Sequence, residues 1–233
     1  MPKRTALPVH QQLSEMLIRE IDAGRILDGE RLPPEREMAD QYRVAVGTLR
    51  KALAELARLG LLQRIQGSGN YVRAKTETSG IYALFRLELL EGGGLPTAQV
   101  LSIDRIGKPA DLPPYGSSDE AFRIRRMRSL GGRPAAVEEI WLDGSRAQSL
   151  DAADLSESLY LHYRRALGFW IARAEDRIGV AEAPAWTPSD MGIAPNAPCG
   201  FIERLGYDQA GWSAEFSRTW FDHGTVRYVS RLK

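Results

Sequence analysis

Apolar residues recur along the first third of the chain at the three- and four-residue intervals of a helix, and along most of the remainder at the two-residue interval of a strand. Val9, Leu13, Met16, Leu17 and Ile21 form one stripe, which predicts a helix over residues 9–23 ended by Gly24. After a turn at Asp28-Gly29, the run Pro33-Pro34-Glu35 starts a second helix, because proline suits a first turn and a carboxylate complements the helix N-terminus. That helix runs to about Tyr42 and buries Met38, Ala39 and Tyr42. A short break leads to a third helix, about residues 46–59, with Leu49, Leu53 and Leu56 on one face and Gly60 as its stop. Residues 61–65, the turn Gln66-Gly67-Ser68-Gly69 and residues 70–73 read as a hairpin with a glycine tip, a wing on the three helices.

Residues 74–80 are small, polar and without periodicity, and residues 76–83 are taken as the linker between a domain at 1–75 and one at 84–233. Beyond the linker, strands are predicted at 98–106, 122–130, 134–142, 170–180, 199–207, 213–221 and 225–232. Gly131-Gly132, Asp208 to Gly211 and Asp222 to Gly224 separate neighbours as hairpin turns, which implies a largely antiparallel sheet. Two helices are expected there, at 155–167 and a short one near 188–191. The fold class is α+β, with a winged helical head and an antiparallel-sheet second domain.

Charge changes the picture once it is divided at the linker. The 233 residues carry a net +1. Residues 1–75 hold 13 basic against 9 acidic side chains, a net +4, and residues 76–233 hold 18 against 21, a net −3. Residues 43–75 alone carry seven basic side chains and one acidic, Glu55. A basic module thus precedes a mildly acidic one. The single cysteine, Cys199, excludes an intramolecular disulfide and reads as a buried small hydrophobe; with only three histidines beside it, no metal site is expected. No apolar run is long enough to span a membrane or direct export, so a cytoplasmic protein is expected.

Consecutive helices joined by a tight turn, with positive charge on the second of them and on the wing, suit docking in a DNA major groove. Gly47 and Thr48 stand at the start of the third helix, with Arg50 and Lys51 one turn inside it, and Arg36 stands at the start of the second. Gly67 and Gly69 let the wing backbone approach a groove or phosphate closely. The stretch "RLPPEREMADQYRVAVGTLRKALAELARLGLLQRIQGSGNYV" resembles the winged helix-turn-helix of the GntR family of bacterial transcription regulators. That resemblance implies DNA contacts by Arg36, Gly47, Thr48 and Arg50 and by Gln66, Gly67 and Ser68 of the wing. Many family members have Ser-Arg-Thr-Thr where this chain has Ala45-Val46-Gly47-Thr48, so a base-reading arginine is missing and Val46 is left to meet a thymine methyl.

In the second domain, "FRIRRMRSLGGRPAAVEEIWL", "SESLYLHYRRALG", "IARAEDRIG" and "PCGFIERLGYDQAGWSAEFSRTWF" resemble the UTRA effector domain of the HutC subfamily, whose fold is that of chorismate lyase. The resemblance implies effector-pocket roles for Arg126, Arg128, Glu138, Ser158, Tyr160 and Glu215, with Phe221 where some sugar-phosphate binders have a tyrosine. Arg126 and Arg128 lie two apart on a strand and share a face, an arrangement suited to a bidentate grip on carboxylate or phosphate. With Arg123 and Arg125 so close, a solvated face is the competing reading. Arg173 with Glu175 reads either as a pocket pair or as a surface ion pair. Gly92-Gly93-Gly94 lacks the Lys-Ser/Thr of a phosphate loop and reads as a turn, and His162 and His223 stand at no nucleophile spacing.

The expectation is a ligand-responsive transcription regulator, a repressor in the usual pattern of the family. It would bind a pseudo-palindromic double-stranded operator as a homodimer, with a small anionic or polar metabolite in its second domain (a sugar phosphate, an amino acid or an amino-acid catabolite) and no cofactor. The competing classes are an enzyme on the lyase-like fold, for which no catalytic pair is evident, and a constitutive DNA-binding dimer without effector.

Overall fold

The computed structural model describes residues 8–22, 25–73, 84–92, 94–153, 155 and 158–230, and they divide into two compact units. One holds the described residues up to Arg86, with Val229 and Ser230; the other spans Leu87–Tyr228. The expected linker at 76–83, the helix stop at Gly24 and the central glycine of the run at 92–94 lie outside the described residues.

In the first unit, helices α1 (Val9–Asp22), α2 (Glu35–Gln41) and α3 (Val46–Arg58) precede a hairpin of β1 (Leu62–Ile65) and β2 (Gly69–Val72). Leu13, Met16, Leu17 and Ile21 of α1 meet Leu49, Leu53 and Leu56 of α3 in a core from which each is almost wholly excluded from water. Burial at that level contributes about 1.5–3 kcal/mol per side chain. Tyr42, expected in this core, is only half-buried, because α2 ends at Gln41 and Tyr42 takes the C-cap position. The turn to α3 places Arg43 in the left-handed region (φ 53°), where a glycine is usual. The hairpin gains a third edge that the sequence does not announce: Gly29 N–H donates to the Val72 carbonyl, Val72 N–H to Glu30, and Leu32 N–H to Asn70. The segment before α2 is thereby fixed to the wing.

The second unit is built on a six-stranded antiparallel sheet in the order β4-β5-β6-β9-β8-β7: β4 (Pro96–Gly107), β5 (Glu120–Leu130), β6 (Arg133–Asp143), β7 (Ile171–Glu182), β8 (Pro198–Asp208) and β9 (Ser213–Phe221). Two three-stranded meanders thus join where β6 meets β9. Six of the seven predicted strands occur within two residues of their expected ends. The seventh shortens to β10 (Val226–Tyr228), and it does not continue the hairpin at Asp222 to Gly224. It pairs instead with β3 (Leu87–Leu89), which the sequence pattern misses, in a separate ribbon. The expected helix at 155–167 is α4 (Leu159–His162), capped by the Ser158 side chain and running into one π-type turn at Tyr163–Leu167 closed by Gly168. The expected short helix is a single 3-10 turn, Ser189–Met191.

Strand pleat assigns each side chain of the sheet to one of two faces. One face carries Ile124, Arg126 and Arg128 of β5, Glu138 and Ile140 of β6, Glu215, Ser217 and Phe221 of β9, Arg204 of β8 and Asp176 of β7. The other packs Met127, Val137, Trp220 and Cys199 against Met191, and Trp141 and Phe216 against Tyr115.

Candidate nucleic-acid interface and ligand site

The head presents its candidate residues at the surface. Arg36, Gly47, Arg50, Lys51, Gln66 and Gly67 are exposed, and Thr48 and Ser68 half-exposed. A Cβ at Gly47 or Gly67 would meet nothing within 4 Å, so both backbones stand open to a partner. α3 begins at Val46 with no side-chain cap on Ala45. In the wing, Ser68 Oγ and the Tyr71 hydroxyl lie 2.7 Å apart, which leaves the tip ordered around Gly67 and Gly69, both at positive φ. Glu35, read from the sequence only as a helix start, binds one of these cations, Arg50, and a second on the wing, Arg64, that the sequence reading does not single out. Its Oε2 accepts from Arg50 Nε at 2.6 Å and its Oε1 from Arg64 Nη2 at 3.4 Å. A cleft of about 370 Å³ separates this segment from the wing.

In the sheet unit, the arginines at 126 and 128 do share a face, but each guanidinium is occupied. Arg126 Nη2 donates to Glu138 Oε2 at 2.6 Å, and Arg128 donates from Nε to Oε1 at 3.4 Å and from Nη2 to Oε2 at 3.2 Å. Arg126, Arg128 and Glu138 are 3%, 5% and 7% exposed, so this is an internal cluster and not a solvated face. Glu138 fills the position in which the sequence reading put a ligand anion. Burial alone would raise its carboxyl, but Arg126 and Arg128 outweigh that and bring it down to about 2.

Beside this triad stands a second buried carboxylate with the opposite bias. Glu215 accepts from the Tyr163 hydroxyl at 2.6 Å and from the Tyr160 hydroxyl at 3.2 Å, and its desolvation pushes the carboxyl up. The charge of Arg204 acts on Tyr160 in turn and opposes the effect of Glu215 on its hydroxyl. Arg204 holds Asp176 bidentately, Nε to Oδ1 and Nη2 to Oδ2, both at 2.6 Å, and the Tyr228 hydroxyl donates to Asp176 Oδ2 at 2.7 Å. Burial pushes both tyrosine hydroxyls above their usual range, Glu215 adding to the effect, so each remains a proton donor.

Of the eight candidate effector contacts, Arg126, Arg128, Glu138, Tyr160 and Glu215 meet here. Phe221 lies on the same face with its ring against Gly200, where any Cβ would overlap it. Ser158 lies at the N-terminus of α4 and accepts from Leu161 N–H. Arg173 is a correction: the pleat puts it on the opposite face, exposed and stacked over Tyr207 at 3.7 Å. Glu175 pairs with Arg177 instead of Arg173. Tyr163, Arg204, Asp176 and Tyr228 were not singled out, because their meeting depends on cross-strand register and on where α4 lies over the sheet. The strand pair Arg204–Asp176 in particular sits 28 positions apart in the chain.

Among the described residues, no helix is long and apolar enough to cross a membrane and no cluster of His, Cys, Asp and Glu is arranged to hold a metal ion. The sequence profile of the bacterial regulatory proteins of the gntR family matches residues 9–72, and that of the UTRA domain matches residues 91–227. The chain is 54% identical over 228 residues to the HTH-type transcriptional regulator SmoD of Agrobacterium fabrum, covering 98% of this chain and 97% of that one. It is 27% identical over 238 residues to the HTH-type transcriptional repressor NagR of Bacillus subtilis, covering 99% and 98%. In fold it is similar to the crystal structure of the possible transcriptional regulator YydK of Bacillus subtilis, with a TM-score of 0.54 at 19% identity over 97% of this chain and 100% of that one. A winged helical head with open cations, an antiparallel sheet with a buried polar network, and these matches together establish that the chain belongs to the GntR family of transcription regulators, in the branch that carries a UTRA effector-binding domain.

Proposed function

We propose that the chain is a cytoplasmic repressor that binds a pseudo-palindromic operator as a homodimer, and that a small anionic or polar metabolite bound on the Arg126–Glu215 face changes its affinity for DNA. The observation that carries this reading is the buried network itself. Two arginines and two carboxylates of one sheet face, with two tyrosines of the helical segment bound to them, all carry a cost in desolvation that a purely structural core would avoid with apolar side chains. A sugar phosphate or an acid would exchange with Glu138 for the guanidiniums, while hydroxyl groups would address Glu215 and Tyr160. Two heads, each of net +4, supply together the phosphate contacts that one small module lacks. That the buried groups are already bound to one another supports binding over turnover. The word repressor in the name of the Bacillus relative supports the sign.

The same network supports a route for the signal. Arg204 of β8 faces Asp176 of β7 directly and Glu215 of β9 on the diagonal, Tyr160 donates to Glu215 within reach of the Arg204 charge, and Tyr228 carries the last link to β10. β10 holds β3 by three residue pairs, and β3 is the segment at which the second unit begins. A ligand that draws Tyr160 or Glu215 out of this chain of contacts loosens the ribbon. Thermal shift of the full-length protein against sugar phosphates, sugar acids and amino-acid catabolites such as urocanate tests the reading. A compound that raises the melting temperature should also change the affinity for a duplex selected by the protein from a random pool. Glu215→Gln should remove both effects, and a thermal shift that persists undiminished in that variant excludes the proposed face.

A further inference from the structure

We infer that Glu35 is a positioning residue for DNA recognition: it holds Arg50 of the recognition helix and Arg64 of the wing in one array, and it restrains both from contact with phosphate irrespective of sequence. Three elements meet at this carboxylate. Glu35 begins α2, Arg50 lies one turn inside α3, and Arg64 lies on β1, where its Nε also donates to Asn70 Oδ1 on β2 at 3.3 Å. Arg50 and Arg64 are 65% and 63% exposed in their side chains while Glu35 is 25% exposed, so each guanidinium keeps N–H groups turned to solvent with one edge fixed.

Such an arrangement bears on discrimination more than on affinity. A free arginine reaches any phosphate nearby and surrenders several rotors in doing so. An arginine already fixed by a carboxylate loses less on binding, provided that the partner group stands where the open edge points. A duplex that offers phosphates without matching groups meets the Glu35 charge as repulsion with nothing gained in return, which is discrimination through an unfavourable term for the wrong partner. The cleft between the start of α2 and the wing reinforces this, since among the described residues lining it Glu35 is the acidic one, facing Arg31 and Arg64.

The test uses the full-length protein, a duplex enriched by the wild type from a random-sequence pool, and a random-sequence duplex of equal length. Both are titrated by fluorescence anisotropy between 50 and 200 mM salt. In Glu35→Gln the freed arginines should gain about one phosphate contact on the random duplex, seen as a salt slope steeper by about 0.9. The random duplex should then bind about three- to tenfold tighter and the selected one gain less, so that the affinity ratio between them falls about two- to fivefold. Arg64→Gln, which cuts the array at the wing and keeps the carboxylate, should also lower the ratio. The inference is overturned if Glu35→Gln strengthens both duplexes by one factor, since Glu35 would then act as a charge alone. It is equally overturned if the ratio holds in Arg64→Gln, or if Glu35→Gln lowers the melting temperature and loses both duplexes together.

Discussion

Among the described residues, a glutamate stands between two arginines in the head and again in the sheet unit, in opposite surroundings. In the head, Arg50–Glu35–Arg64 lies at the surface, and its arginine side chains are more than three-fifths exposed. In the sheet unit, Arg126–Glu138–Arg128 is all but excluded from water, with side chains 4%, 9% and 6% exposed. Water decides the difference. At the surface, the attraction is weakened by solvent and balanced by the entropy of fixing long side chains, so Glu35 orients its arginines at little gain or loss in stability. In the interior, both the attraction and the cost of desolvation are large, and removing one partner leaves the others stranded. An exposed triad, its arginines oriented but open to solvent on one edge, suits contact with a polyanion; a buried one suits a site that only a well-matched ligand can reopen.

The largest effect expected is from breaking the buried triad. Glu138→Ala leaves two guanidiniums in the interior without their carboxylate and should destabilise the sheet unit by about 3–5 kcal/mol. Urea unfolding of the full-length protein measures this, and a loss below about 1 kcal/mol would mean that solvent enters the site freely. Acid should reach the same triad by another route. The Glu138 carboxyl titrates at about 2 in the folded protein against an ordinary 4.5, so the folded state binds its proton less readily than the unfolded state. Its contribution, on the order of 3 kcal/mol, is complete above pH 4.5 and disappears as pH falls from there towards 2.

Glu215 should run the other way. Burial raises its carboxyl, so the folded state takes up this proton more readily than the unfolded one. The resulting stability is present below pH 4.5 and is lost as pH rises through the elevated folded value. Stability against pH should therefore show two slopes of opposite sign: Glu138→Gln should remove the acid one, and Glu215→Gln the one above it. A wild-type profile unchanged by Glu215→Gln would show that Tyr160 and Tyr163 already compensate the charge in full.

How far this difference could be read from the chain depends on the range of the interaction. The strands of the large sheet were legible because a two-residue period bounded by glycine turns is a local signal, as at Gly131-Gly132. The ribbon of β3 and β10 was not, since Leu87-Glu88-Leu89 is too short to show a period and its partner lies 137 positions further on, Val226 opposite Leu89. Alternation places Arg126 and Arg128 together, but it is silent about the carboxylate that faces them from the next strand. It also separates Arg173 from them only once the register across β6, β9 and β8 is known. In the head, the position of every candidate arginine follows from its helix or hairpin. That Arg50 shares Glu35 with Arg64 of the wing does not, because Glu35 lies 15 and 29 positions from the two.

The smallest effect expected is the one that tests the contrast most sharply. A double-mutant cycle on Glu35→Gln and Arg50→Gln should give a coupling energy of about 0.2–1 kcal/mol by urea unfolding, despite the 2.6 Å contact, because solvent screens the pair and the side chains give up rotamer freedom to form it. Raising the salt to 1 M shortens the screening length to about 3 Å and should bring that coupling close to zero. The corresponding cycle on Glu138→Gln and Arg126→Gln, across a contact of the same 2.6 Å, should exceed it severalfold and respond little to salt. Equal couplings in the two cycles would break the comparison, since distance alone would then set the strength of both pairs and burial would have no part in dividing their roles.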